Sequence, residues 1–275
     1  MPPRDTDDGG VRRFLEAILA RYGQDFVSYA PRSMERRVRA ALAKSRFSTL
    51  DELHDAVLAD PVLFARLVED LTVRVTGMFR DPSFHRAFRE RVVPMLRTYP
   101  HFKIWHAGSA TGEEVYSCAI ILEEEGLYDR AQIYATDLSL EALGRATQGV
   151  YSDERMDVLY SNYVEAGGRA CIDAYITRAY SRIQFRERLR KNILFFQHDL
   201  TSDYVFGDMH VILCRNVLVY FGSELRQRVL AKFAESIPPG GFLGLGNAER
   251  LREVGSKDAF EDYAPDERIY RRRAR

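Results

Sequence analysis

The hydrophobic positions of this chain follow two patterns, and the change falls near residue 100. From 11 to 97, apolar residues recur three and four positions apart, as they do at Met34, Val38 and Leu42. This is the spacing of helices that bury one face. The pattern predicts an all-helical N-terminal domain over 11–81, followed by a helix over about 82–97 that leads into a sheet.

Short motifs mark where several of these helices begin. Thr49 and Glu52 have the spacing of a capping box, in which both side chains bond backbone N–H groups. Asp60 and Asp81 are each followed by proline, which combines an N-cap residue with the residue best suited to the first helical position. New helices are therefore predicted after positions 49, 60 and 81.

From residue 102 onward, short apolar runs alternate with helical segments, the pattern of a parallel sheet covered on both faces. The predicted strands are 102–107, 132–136, 193–197, 209–214, 242–246 and 268–272, and the predicted helices are 113–125, 139–147 and 223–236. A polar stretch without helical periodicity separates the last two strands, which favours an antiparallel strand that closes the sheet. The fold class is thus α/β, with a doubly wound, Rossmann-like sheet.

Residues 150–192 interrupt this alternation. A polar helical piece over 153–166 ends at two glycines, and the segment 174–185 is rich in tyrosine, isoleucine and threonine. Long connections without structure are uncommon in compact domains, although an irregular crossover is the alternative. We expect a small inserted subdomain made of a helix and an antiparallel β hairpin.

Composition narrows the classes of function. The 40 lysines and arginines balance 40 aspartates and glutamates, so no overall charge attracts nucleic acid or a membrane surface. The histidines and the three cysteines lack metal-site spacing. The N-terminus does not have the pattern of a signal peptide, and no apolar run approaches the roughly 18 residues of a membrane span. We expect a cytoplasmic monomer that binds no metal and no nucleic acid and does not insert into the membrane.

The strongest chemical signal lies in 106–119 and 134–139. An apolar run ends in a small-residue turn at 108–112, a helix opens with two glutamates, and a second apolar run ends at Asp137. This order is the one by which doubly wound sheets hold a nucleoside, with the acid on the ribose hydroxyls. Two carboxylates at the helix start would compete with a bound phosphate. A cationic or neutral nucleoside fits better, and S-adenosylmethionine is the common cofactor of that kind.

With these motifs, the sequence resembles the chemotaxis receptor glutamate methyltransferases, the CheR family. The resemblance rests on VTGMFRD (75–81), IWHAGSATGEEVYS (104–117), YATDLSLEAL (134–143), GVYS (149–152) and VILCRNVLVYF (211–221), which occur in the family's order. It implies a methyltransferase domain over 82–275 with an inserted subdomain at about 150–192. It also implies S-adenosylmethionine as methyl donor, S-adenosylhomocysteine as product, and glutamate side chains of a chemoreceptor as acceptors.

The resemblance further implies roles for particular residues. The cofactor contacts would be Thr76, Arg80, Gly108, Glu114, Asp137, Asp199, Leu200, Asn216 and Val217. The chain departs from the family at Arg74 and Asp199, where asparagine is common, and at Ser109, where cysteine is common. Arg74 would place a guanidinium near a cationic cofactor, whereas Asp199 can still accept a hydrogen bond from an adenine amino group.

Arg80 and Tyr220 are the candidates for the transfer step. A glutamate acceptor, with a pKa of about 4.3, is ionised at pH 7, so transfer needs orientation and removal of water rather than a general base. The Arg80 guanidinium matches a carboxylate, and both the acceptor and the cofactor offer one. The Tyr220 ring either faces the methylsulfonium or packs in the core.

The predicted second helix carries a basic cluster of Arg32, Arg36, Arg37 and Arg39. Its apolar positions occupy one face, so Arg32, Arg36 and Arg39 share another. The implied acceptor is a glutamate-bearing helical bundle, and we therefore interpret the cluster as a docking surface for an acidic receptor. A solvated helix face is the alternative. No stacking aromatic residues are interleaved with the cluster, which argues against nucleic acid.

Three functions remain open at this point. The leading hypothesis is a protein-glutamate O-methyltransferase that acts on chemoreceptors or similar sensory proteins. A methyltransferase for small carboxylic acids is the second, but such a substrate requires neither the basic helix nor the insertion. The third is a receptor-docking signalling module with weak or lost catalysis, which Arg74 and Ser109 favour.

Overall fold

The computed structural model describes residues 8–72, 76–204, 206–251 and 258–274. The N-terminal part consists of helices α1 (Asp8–Tyr22), α2 (Pro31–Lys44), α3 (Leu50–Ala59) and α4 (Pro61–Leu71). Their apolar faces meet in one core that contains Phe14, Val38 and Leu71. The all-helical N-terminal region predicted from the apolar spacing is confirmed.

The caps of these helices follow the sequence motifs with one exception. Thr49 Oγ1 accepts the N–H of Glu52 at 3.2 Å, and Asp60 Oδ1 accepts the N–H of Val62 at 2.8 Å. Asp81 makes no such bond to the helix that follows it. Its carboxylate instead accepts a hydrogen bond from the Arg215 guanidinium at 2.6 Å. The predicted helix start at Pro82 is confirmed, but Asp81 does not cap it through its side chain, because its backbone is left-handed (φ 54°, ψ 71°) and its carboxylate pairs with Arg215.

The remaining elements alternate as predicted. The helices are α5 (Pro82–Ala87), α6 (Val93–Leu96), α7 (Glu113–Glu124), α8 (Leu140–Gln148), α9 (Met156–Glu165) and α10 (Ser223–Ser236). The strands are β1 (Phe102–Ala107), β2 (Ala131–Asp137), β3 (Val150–Ser152), β4 (Ile176–Ala179), β5 (Arg182–Phe185), β6 (Ile193–Gln197), β7 (Val211–Cys214), β8 (Phe242–Leu245), β9 (Phe260–Ala264) and β10 (Ile269–Arg272).

Seven of the described strands form one sheet in the order β6-β2-β1-β7-β8-β10-β9. The first five are parallel, and β10 is antiparallel to both of its neighbours. The doubly wound sheet and its antiparallel closing strand are therefore confirmed. Strand β9 was not predicted, because two adjacent residues of its sequence, Glu261 and Asp262, are charged and exposed at the sheet edge.

The segment between α5 and α6 is a π-helical turn over Phe88–Val92, so 82–96 forms one helical stretch. Phe84, Phe88 and Val92 pack in a core cluster of the sheet that includes residues of β1. They do not belong to the core of the N-terminal helices. This packing accords with a boundary near 81, which stays a prediction.

The insertion is a helix, α9, and a three-stranded antiparallel sheet in the order β3-β5-β4. The predicted helix and hairpin are confirmed, and β3 adds a third strand from the GVYS segment. Glu124, at the end of α7, ties the insertion to the main body: its carboxylate accepts from Tyr175 Oη at 3.1 Å and from the N–H of Arg169 at 3.2 Å. The Arg89 guanidinium pairs with the same buried side chain.

Two features are absent from residues 8–72, 76–204, 206–251 and 258–274. None of the helices there combines the length and the apolar character that a membrane span requires. The same residues contain no group of three or more histidine, cysteine, aspartate or glutamate side chains arranged to hold a metal ion.

Candidate cofactor and acceptor site

A cleft opens where the carboxyl ends of β1, β2 and β7 meet. Strand β1 pairs with β2 on one side and with β7 on the other, so the chain order of the sheet reverses beside it. Ligands of open α/β sheets bind at such switch points. The loops after these strands, together with residues of the N-terminal part, enclose about 960 Å³ of space that is open to solvent.

The turn after β1 is held against β2 by its backbone. The N–H groups of Gly108 and Ser109 both donate to the carbonyl of Thr136, at 2.9 and 2.8 Å. Gly108 has φ 82°, and a Cβ there would lie 2.4 Å from Cγ2 of Val217. Glycine is therefore required by a left-handed backbone and by close approach to the loop after β7. The sequence did not predict this contact between Gly108 and the loop after β7.

Asp137 ends β2 with both carboxylate oxygens facing backbone donors. Oδ2 accepts the N–H of Ala110 at 2.8 Å, and Oδ1 accepts the N–H of Ser139 at 3.0 Å. Burial raises the pKa of Asp137, and these two hydrogen bonds oppose that rise. The side chain is fixed at the cleft wall, and each oxygen keeps a lone pair for a hydroxyl donor.

Glu114, in the first turn of α7, belongs to a buried ionic group. Its Oε2 accepts from Arg215 Nη1 at 2.6 Å, and its Oε1 lies 3.3 Å from His106 Nδ1. Burial alone would raise the pKa of Glu114, but Arg215 and His106 lower it from 4.5 to about 2. Glu114 is thus a fixed carboxylate at the cleft, as the sequence suggested, whereas Glu113 lies outside the cleft lining.

Arg215 was missed as a separate site residue, although it lies inside the VILCRNVLVYF segment. Its side chain is 1 % exposed and bridges Glu114 and Asp81. The guanidinium also stacks over the Phe84 ring, 3.9 Å from its centroid. Arg215 therefore joins the loop before α5, the start of α7 and the end of β7 into one unit.

The loop after β7 forms the opposite wall. Asn216 has φ 61°, and Asn216, Val217 and Tyr220 all line the cleft. The linker between α1 and α2, residues 23–30, runs along this loop. The N–H of Ala30 donates to the carbonyl of Tyr220 at 2.8 Å, and the N–H of Gly222 donates to the carbonyl of Ser28 at 2.9 Å.

Arg37 requires a correction. The sequence placed it with Arg32, Arg36 and Arg39 on a docking face, but Arg37 is only 7 % exposed. Its guanidinium lies over the Tyr220 ring, 4.3 Å from the centroid, and Nη1 donates to the carbonyl of Leu71. Arg37 therefore lines the cleft. The face assignment failed because a long side chain beside the apolar stripe turned inward, while the other three arginines are exposed.

The Asp199 carboxylate accepts hydrogen bonds from other protein groups, which the sequence did not predict. Its Oδ2 accepts from Gln24 Nε2 at 2.6 Å and from Thr201 Oγ1 at 2.8 Å, and its Oδ1 accepts the N–H of Thr201. Asp199 and Leu200 line the cleft. An adenine amino group there would share a carboxylate that already anchors the linker between α1 and α2.

The structure brings the predicted cofactor residues to a single cleft. Thr76, Arg80, Gly108, Glu114, Asp137, Asp199, Leu200, Asn216 and Val217 all line it. Arg80 is exposed at the cleft. Tyr29 and Phe221 form apolar parts of the cleft wall. The sequence did not predict a role for either residue. Arg74 lies outside the described residues. The individual roles stay predictions.

The cleft fits a nucleoside better than a phosphate group. Three carboxylates, Glu114, Asp137 and Asp199, line it beside three arginines, Arg37, Arg80 and Arg215, and the α7 N-terminus carries two acids where a phosphate would otherwise bind. The Ser109 Oγ is buried without a hydrogen-bond partner among the described residues and is thus available to a ligand. Asp137 would hold ribose hydroxyls, and Glu114, whose carboxylate already bonds Arg215 and His106, stays a predicted cofactor contact.

The fold and the cleft together define the class of methyltransferases that use S-adenosylmethionine. Residues 74–268 match the family described as CheR methyltransferase, SAM binding domain, and residues 10–72 match CheR methyltransferase, all-alpha domain. The chain belongs to the CheR methyltransferase family, and its cofactor is S-adenosylmethionine.

Several known proteins are similar to this chain. A Pseudomonas putida methyltransferase named Cher3 is 44 % identical over 269 residues, which cover 98 % of each chain. A chemotaxis protein methyltransferase of Listeria monocytogenes is 31 % identical and covers 86 % of this chain and 88 % of its own. Among solved structures, the N-methyltransferase NodS of Bradyrhizobium japonicum, in complex with S-adenosylhomocysteine, is 13 % identical with a TM-score of 0.40 and covers 71 % of this chain and 88 % of its own.

Proposed function

We propose that this protein is a cytoplasmic protein-glutamate O-methyltransferase that modifies chemoreceptors or similar sensory proteins with acidic helical bundles. The observation that carries the proposal is the double role of α2. Arg37 on this helix lines the cleft, while Arg32, Arg36 and Arg39 of the same helix are exposed. A surface suited to an acidic helix therefore lies next to the site of transfer. Relatives named chemotaxis protein methyltransferase support the same acceptor.

Methyl transfer to a carboxylate requires the protein mainly to position the carboxylate and the methyl donor. The bound cofactor supplies an electrophilic methyl group on a sulfonium. A glutamate carboxylate is already the nucleophile at pH 7, so no proton has to be removed. The chain contributes apolar walls at Tyr29, Val217 and Phe221, which exclude water from the carboxylate. Arg37 and Arg80 add positive charge inside the same cleft, which favours entry of an acidic side chain.

Arg80 and Tyr220 have the proposed transfer roles. Tyr220 is held at the cleft by the Arg37 guanidinium over its ring and by the Ala30 N–H on its carbonyl. Arg80 holds either the acceptor carboxylate or the cofactor carboxylate. Titration of Arg80→Ala with S-adenosylhomocysteine separates these: unchanged affinity assigns Arg80 to the acceptor, and about tenfold weaker affinity assigns it to the cofactor.

The test of the proposal is base-labile methyl incorporation from radiolabelled S-adenosylmethionine into receptor-containing membranes of the same cell. We expect labelled receptor bands with the wild-type chain and none with Asp137→Ala, which removes the proposed ribose contact. Cofactor binding without transfer to any receptor would instead indicate a docking module. Transfer only to small carboxylic acids would indicate the small-substrate alternative.

A further inference from the structure

A buried carboxylate outside the predicted site holds the loop that carries Asn216, Val217 and Tyr220. Glu249 is 4 % exposed and follows β8 by four residues. Its Oε2 accepts the N–H groups of Gly246 at 2.6 Å and Asn216 at 3.0 Å, and its Oε1 accepts the N–H of Val219 at 3.2 Å. One side chain thus connects the turn after β8 to both ends of a cleft-lining loop.

The backbone around Glu249 has no spare room. The N–H of Glu249 donates to the carbonyl of Gly246 at 2.8 Å, which closes a tight turn. A Cβ on Gly246 would lie 2.7 Å from both nitrogens of Asn216 and 2.8 Å from Glu249 Oε2. The carboxylate, the glycine and the asparagine therefore form one close-packed contact, and a change in any of them displaces the loop.

Asn216 needs such support because its backbone is left-handed, with φ 61°. This conformation costs free energy in a non-glycine residue and persists where the surroundings fix it. The Glu249 oxygen accepts the N–H of this very residue. Without that acceptor, the half-buried N–H would lose its partner or the loop would rearrange.

We propose that Glu249 is a positioning residue, which acts through the 216–220 loop on cofactor affinity and on methyl transfer. The expected effect of Glu249 on methyl transfer rests on the proposed function, in which Tyr220 takes part in the transfer. The expected effect of Glu249 on cofactor affinity depends only on the S-adenosylmethionine site. Glu249 does not line the cleft. It positions Asn216, Val217 and Tyr220, which do.

The test compares Glu249→Gln with Glu124→Gln in the full chain. Glutamine keeps the size of the side chain but replaces one accepting oxygen with a donor, which opposes the backbone N–H groups. Glu124 is also a buried, hydrogen-bonded carboxylate, but it lies at the far end of α7. For each variant, the Kd for S-adenosylhomocysteine, the kcat, the cofactor KM and the melting temperature are measured.

We expect Glu249→Gln to raise the Kd for S-adenosylhomocysteine about tenfold and to lower kcat, whereas Glu124→Gln lowers only the melting temperature. Gly246→Ala should reproduce the Glu249→Gln result, and it provides the measurement if Glu249→Gln does not fold. The idea fails if the Glu249 and Gly246 variants lose stability as Glu124→Gln does while Kd, KM and kcat keep their wild-type values. Weaker binding in these variants, with no receptor methylation by the wild type, would uphold the inference and refute the proposed acceptor.

Discussion

At the scale of single residues, the site depends on charges that neutralise one another before any ligand binds. Glu114 and Asp81 both pair with Arg215, whose side chain is nearly inaccessible. Breaking such a buried pair from one side leaves an uncompensated charge and is strongly destabilising. The carboxylate of Glu114, a predicted cofactor contact, is therefore also a structural element, and its protonation affects folding.

Glu114 should make the protein sensitive to acid. Its pKa in the folded chain, about 2, lies below its ordinary value of 4.5. The stabilisation is therefore complete above pH 4.5 and is lost as the pH falls from there toward 2. Urea unfolding at pH 5 and pH 3 should show that the wild type loses about 2 kcal/mol more than Glu114→Gln across this interval.

Glu113→Gln is the matched control, since burial raises the pKa of the neighbouring Glu113 rather than lowering it. This variant should lose at least as much stability on acidification as the wild type, because a carboxyl with a raised pKa in the folded chain opposes acid destabilisation. Equal losses in the wild type and in Glu114→Gln would contradict the paired state of Glu114.

Site residues were predictable where a strand-end motif fixes their place, and not where burial decides it. Asp137 follows from the order of strands, turn and helix, and Glu114 is distinguished from Glu113 by the family motif. Arg37 was misplaced and Glu249 was missed, because a helical wheel and local spacing do not show which long side chains reach across to another loop. Both residues contact the 216–220 loop, which is distant from each of them in sequence.

At the scale of elements, α2 carries the proposed receptor contact. Arg32 and Arg36 lie one turn apart and are both exposed. Reversal of both charges to glutamate should raise the receptor KM about tenfold at low salt, because attraction to an acidic helix becomes repulsion. The Kd for S-adenosylhomocysteine should not change, since neither side chain lines the cleft. Receptor methylation kinetics and calorimetric titration measure the two constants.

Arg13→Glu with Arg66→Glu is the control for this pair. Both arginines are exposed on other helices of the same helical part, α1 and α4, so the net charge changes equally. An equal rise of receptor KM in the two double variants would mean that net charge, and not the α2 surface, governs receptor binding.

Elements with a continuous apolar or periodic pattern were predictable nearly to their ends, as β1 and α10 show. Strands β3 and β9 were not, for a shared physical reason. Each is short or lies at the edge of its sheet, where one side of the strand needs no apolar residues. Their pairing is decided by the neighbouring strand, which a local pattern does not reveal.

At the scale of the whole molecule, the helical part and the sheet meet at the cleft. The 23–30 linker is hydrogen-bonded to the 220–222 segment in both directions, the Tyr29 and Phe221 rings are in edge contact at 4.9 Å, and Gln24 holds Asp199. A ligand that orders the loops after β6 and β7 should therefore also order the linker. We therefore expect the N-terminal helices to respond when the cofactor binds.

Hydrogen exchange with and without S-adenosylhomocysteine measures this coupling. At about 100 times its Kd, the ligand stabilises the folded chain by about 2.7 kcal/mol, and amide exchange should slow in both 24–30 and 216–222. The β4–β5 hairpin, which contributes nothing to the cleft lining, should exchange at an unchanged rate. Gly222→Ala places a Cβ 2.8 Å from the carbonyl oxygen of Ser28, so it should reduce the protection of 24–30. If protection stops at the sheet loops and 24–30 exchanges equally fast in both states, the linker is only a tether and the helical part does not report on cofactor binding.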